Sequence, residues 1–184
     1  MRTILLLLMA VLAGSVATQA QAQAPAGVSI AAGEEVVVRI VGAGRVEVVS
    51  RGPAPPMTPF DAYSLADLVA TKAPPGATTL PPKVFLKGEG PPPPPAARGV
   101  IRLVLRDVVG ATRHDALLLI ENGYEQGFRY RALMRRGERS APTDVCLIMP
   151  GKPGHEHWPY QIDRLDLSDL RLVPWKPEDG LPCA

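Results

Sequence analysis

Proline sets the first limit on how this chain can fold. Thirteen of its 21 prolines fall between residues 52 and 98. Each removes a backbone donor, so no central strand can run through such a stretch. Sheet-forming sequence must therefore stop near residue 51 and resume near residue 99, with an extended insert between. One helix is legible inside the insert. Thr58 suits an N-cap, Pro59 the first helical position and Asp61 the capping-box position. Phe60, Leu65, Leu68 and Val69 would share its apolar face, and Pro74 would end it. Lys83–Lys87 reads as a short strand. Pro91–Pro95 reads as polyproline II, a stiff surface loop of ~15 Å at ~3.1 Å per residue.

Both flanks carry strand patterns. Glu34–Val41 and Arg45–Arg51 are valine-rich runs joined through Gly42-Ala43-Gly44, which predicts a hairpin with Val46 and Val48 on one face. After the insert, Ile101, Leu103 and Leu105 alternate with Arg102, Val104 and Arg106, the pattern of a strand with one buried face. Ala116–Ile120 is a continuous apolar run suited to a central strand. Phe128, Tyr130, Ala132 and Met134 alternate with Arg129, Arg131 and Arg135. Asn122-Gly123 between these two runs predicts an antiparallel hairpin, by a two-residue turn or a longer loop ending at Gly127. Val145–Met149 reads as a further short strand. The alternation of Leu165 and Leu167 is broken at Ser168-Asp169 before Leu170 and Leu172, which predicts a turn or bulge. Seven to nine short strands with Gly and Pro punctuation give the expected class: all-β, an antiparallel β-sandwich, immunoglobulin-like in general architecture, with a Pro-rich insert at about 52–98.

Residues 1–22 have the build of a secretory signal peptide: one early charge at Arg2, an apolar run from Ile4 to Ala13, and Ala20-Gln21-Ala22 as a small-x-small exit. The apolar run is half the ~20 residues a spanning helix needs. Cleavage after Ala22 is preferred to cleavage after Ala24, because Pro25 would supply a poor scissile amide. The position after Leu12-Ala13-Gly14 is Ser15, so a thioether-linked lipid has no thiol there. The expected product is a single domain, 23–184, soluble and periplasmic or secreted. With Arg2 gone from the 20 basic residues, 19 face 18 acidic ones. That near balance gives no basic stripe for nucleic acid. In an oxidising compartment the two cysteines, Cys146 and Cys183, are expected to form a disulfide that ties the C-terminal segment back.

The most site-like stretch runs from Gly151 to Trp158. His155 and His157, two residues apart, project to the same side of a strand and can share copper or zinc, with Cys146 and Met149 nearby as soft ligands. Met149 precedes both histidines and Cys146 is expected in the disulfide, so the preferred reading is a polar surface loop with no metal or cofactor. Trp158, Tyr160 and Trp175 are read as packing residues rather than a sugar platform. No Gly-x-Ser-x-Gly elbow is present and no catalytic residue is assigned. Arg102, Arg106, Arg129, Arg131, Arg135 and Arg136 would form a basic strip if their strands were neighbours. The expected role is non-enzymatic: binding or supporting an envelope component or protein partner. The alternatives are a periplasmic metal-binding protein and a small periplasmic hydrolase.

Overall fold

The computed structural model describes residues 27–42, 45–70, 92–109 and 114–183. The expected signal peptide and the expected strand at Lys83–Lys87 lie outside them, as does Pro74. Nine strands are described: β1 (Gly27–Ala31), β2 (Glu34–Val41), β3 (Arg45–Pro53), β4 (Ile101–Val109), β5 (His114–Asn122), β6 (Gly127–Arg136), β7 (Arg139–Thr143), β8 (Pro153–Trp158) and β9 (Arg164–Val173). They form two antiparallel sheets, one in the order β3-β2-β4-β5-β8 and the other in the order β1-β9-β6-β7. The protein is an all-β sandwich. Its core is the set of side chains that alternation turns inward: Val36 and Val38, Ile101 to Leu105 at every second position, Leu118 and Ile120 from one sheet, Ile30, Phe128, Tyr130, Leu165 and Leu167 from the other. A period of two on each strand is what makes one face of each sheet continuous and apolar.

The β2–β3 hairpin forms as the valine pattern predicts, with a bulge between Val37 and Val38. Val46 packs on the core, but Val48 sits on an edge strand and is 48% exposed. In β9 the broken leucine phase is a bulge. Arg129 pairs with Arg171 while Arg131 pairs with Ser168, so β9 holds one extra residue against β6. Asp169 takes a φ of 53° at that point. Short polar side chains tolerate this left-handed conformation better than bulky ones.

Further expectations are corrected. Asn122-Gly123 does not close a hairpin, because β5 already has β4 on one side and β8 on the other, and the chain crosses to the opposite sheet. Asn122 is fully buried and pins the crossing. Its Nδ2 donates to the carbonyls of Gln126 (2.8 Å) and Met149 (3.0 Å), and its Oδ1 accepts the Tyr124 N–H (3.0 Å). Gly123 is required there, since a Cβ would lie 1.8 Å from the Ala97 carbonyl oxygen. Val145–Met149 makes two isolated bridges, Phe128↔Ile148 and Cys146↔Cys183, rather than a strand. Another correction concerns the arginines. Arg102 and Arg106 lie on β4 in the five-stranded sheet, and Arg129, Arg131, Arg135 and Arg136 on β6 in the other. Opposed sheets stand ~10 Å apart with the core between them, so no single strip forms.

The insert folds back on the sandwich. Helix α1 (Pro59–Ala70) begins with the predicted capping box: the Thr58 hydroxyl accepts the Asp61 N–H at 3.1 Å and the Asp61 carboxylate accepts the Thr58 N–H at 3.0 Å. Leu65, Met57 and Ala54 cover Val104, Leu117 and Leu119, which face away from the core. Val104, read from sequence as a solvent-facing position, is therefore buried. Pro92–Pro95 carries no helix or strand.

Cys146 and Cys183 are disulfide-bonded across 37 residues. The Leu147 N–H donates to the Pro182 carbonyl at 3.0 Å, and Leu181 is buried, so the last segment is held as an added extended strip. Closing a loop of this length stabilises a fold by ~3–4 kcal/mol in the chain-entropy account. The Cys146→Ser/Cys183→Ser variant is expected to lose about that much in urea denaturation. A loss under ~1 kcal/mol would mean that the hydrogen bond and Leu181 hold the segment unaided.

Candidate functional site

The polar groups with chemical capacity gather on the outer face of the five-stranded sheet, beneath and beside α1. In β8 the residues opposite Leu119 and Leu117 of β5 are His155 and His157, so both rings project outward on one face. The expected shared side is borne out, but the stretch is an edge strand and not a surface loop. The Pro153–Trp158 run pairs with β5 along its full length, which requires an extended backbone.

Each histidine meets a carboxylate. His157 Nε2 lies 2.9 Å from Asp115 Oδ2, in a pair where both side chains are largely buried. His155 is deeper, with its side chain 1% exposed and Nε2 3.9 Å from Asp61 Oδ1. Its ring packs tilted against Phe60, 5.5 Å between centroids. Burial alone would raise the Asp61 carboxyl. Hydrogen bonding from His155 and from the Thr58 backbone and hydroxyl outweighs that and holds it below the usual range. The helix cap and the sheet are thus joined through one carboxylate.

Further along the same face, Arg102 bridges Glu35 and Glu121, with contacts of 2.5 Å and 2.6 Å. Burial raises the Glu121 carboxyl even against Arg102. Arg106 reaches over the edge of the insert and donates to the carbonyls of Pro55 and Pro56. Arg102 is thus spent within the sheet, on β2 and β5, and Arg106 on the insert.

Between the two histidines lies a residue that the sequence reading did not single out. Glu156 has the opposite phase and turns its carboxyl between the sheets. One oxygen accepts the Cys146 N–H at 2.7 Å and the Tyr130 hydroxyl at 3.2 Å. Burial raises its pKa to about 7, opposed by those two donors and reinforced by the charge of Asp144. The available signal was the alternation itself: if His155 and His157 face out, Glu156 must face in.

Among the described residues, no three His, Cys, Asp or Glu side chains come together as a group able to hold a metal ion. His157 hydrogen-bonds no serine or threonine hydroxyl there, and both cysteines are bridged. The pairing with Asp115 can fix a ring's orientation and tautomer. Trp158 is buried and donates to Thr143 Oγ1 at 2.8 Å, and Trp175 donates to the Gly180 carbonyl at 2.6 Å.

Fold and site define an all-β sandwich with a helical insert held to one face by Asp61 against His155, by Arg106 and by an apolar cover. No family model, curated protein or solved structure matches this chain.

Glu156 gives the site a defined pH signature. Its folded pKa lies above the unfolded value near 4.5, so its contribution is intact below that value and is lost as pH rises through about 7. The full loss is on the order of 3 kcal/mol. Wild type is expected to lose stability between pH 5 and 8.5 by an amount that Glu156→Gln does not. Parallel urea-unfolding profiles of the two proteins over that range would refute it.

Proposed function

We propose that this chain is an exported, non-enzymatic β-sandwich that binds or supports an envelope component or a protein partner. One observation carries the reading. The side chains that could do chemistry are already committed to holding the fold: His157 to Asp115, His155 under α1 against Asp61 and Phe60, and Glu156 to Tyr130 and the Cys146 backbone. A catalytic group needs room for a reacting atom within hydrogen-bond reach. Export is supported by the leader-like pattern at residues 1–22 together with the disulfide. Saturable sedimentation of the purified protein with envelope material from its source, competed by excess unlabelled protein, is the expected outcome. Full recovery in the supernatant at all concentrations would reject the reading.

A second reading, a periplasmic copper or zinc protein, draws on the shared outward face of His155 and His157. It requires both rings to leave their carboxylates. Calorimetric titration with Zn(II) and Cu(II) discriminates. Under the binding-protein reading the heats of wild type and of His155→Ala/His157→Ala are equal; a saturable heat lost in the variant would favour the metal.

A further inference from the structure

The β6–β7 hairpin carries two charges where its strand pattern calls for apolar groups. Phe128, Tyr130, Ala132 and Met134 are the inward positions of β6, and the next in phase is Arg136. Arg139 of β7 stands directly opposite Arg136, as Ala141 stands opposite Met134. Like charges directly opposed on neighbouring strands destabilise a sheet. Among the described residues neither arginine has a carboxylate partner. The nearby acids are engaged: Asp166 takes Ser29, Arg135 and Arg164, and Asp163 accepts the Gly137 N–H. Glu138, at the hairpin turn, is exposed.

Arg136 and Arg139 border an open hollow of about 660 Å³, lined also by Met134, Ser140 and Ala141. That falls within the ~300–1,000 Å³ usual for small-molecule sites. The Arg136 guanidinium lies over the Tyr160 ring, 4.6 Å from its centroid, and the Tyr160 hydroxyl meets the Met134 sulfur at 3.7 Å. Stacking on the ring restrains the guanidinium while leaving its N–H edge available to an oxyanion. The floor made by Met134 and Ala141 is apolar.

We propose that this hollow binds an anionic amphiphile, with a phosphate or carboxylate head between Arg136 and Arg139 and an apolar stem along Met134 and Ala141. The head would relieve the repulsion between the two arginines, and the stem would cover apolar surface left open at the sandwich end. The inference rests on the reading of the chain as a binding protein and names its ligand class.

Calorimetry with decyl phosphate below its micelle concentration tests it, with inorganic phosphate and decanol as separate probes. Decyl phosphate is expected to bind, and to bind about tenfold or more weakly to Arg136→Gln/Arg139→Gln, since each lost charge-assisted bond matters at that scale. Arg129→Gln/Arg131→Gln removes the same charge from the outer face of β6 and is expected to bind like wild type. Near-ultraviolet circular dichroism checks that both variants fold. Equal weakening in the two variants, no binding by folded wild type, or equal affinity for inorganic phosphate or decanol would each overturn the site. Phosphatidylglycerol vesicles separate the sources. Retention that needs Arg136 and Arg139 assigns a membrane headgroup, and monomer binding without retention assigns a free amphiphile. Loss of decyl phosphate binding with envelope sedimentation intact removes this site and leaves the binding reading standing; the reverse pattern removes that reading alone.

Discussion

Strand β5 is apolar on both faces, and most of the architecture follows from that. Its inward residues, Ala116, Leu118 and Ile120, fill the sandwich. Its outward residues, Leu117 and Leu119, would otherwise lie against water together with Val104 of β4. Burying a leucine or valine side chain is worth ~1.5–3 kcal/mol, so these three residues favour a cover. The insert supplies it. Once α1 lies there, its capping carboxylate Asp61 falls beside His155, and Arg106 meets the carbonyls of Pro55 and Pro56. The polar cluster is therefore the seam of a hydrophobic cover. Its charges are paired because a buried charge without a partner is costly.

The legible parts of this fold were those governed by local rules. The capping box at Thr58 and Asp61 is a four-residue pattern with one geometric solution. The phase break at Ser168-Asp169 was visible because a bulge shifts a period of two. The disulfide followed from an even pair of cysteines behind a leader-like segment. What failed were statements about which strands lie side by side. Asn122-Gly123 carries a hairpin's turn residues, yet both edges of β5 are taken by strands from elsewhere in the chain. The arginines of β4 and β6 share a pattern but sit on opposite sheets. Alternation reports which face a residue occupies, and it is silent on the neighbour across the ladder.

The site was half legible for the same reason. The outward pairing of His155 and His157 came from spacing alone. Their partners Asp61 and Asp115 lie 94 and 42 residues away, brought in by the insert and by β5. Val104 misled because an isolated valine among arginines looks like an exposed position until something covers it. Glu156 is the converse: a charged residue between two histidines reads as polar surface, and the strand turns it inward.

Strand β1 is bonded to β9, with Gly27 opposite Ser168. The earliest described strand therefore has to wait for the latest. Nearly the whole chain must be present before the four-stranded sheet can close along that edge, and contacts of such long sequence separation make for slow folding. Any chain of this topology stays open along that edge until its last strand is in place.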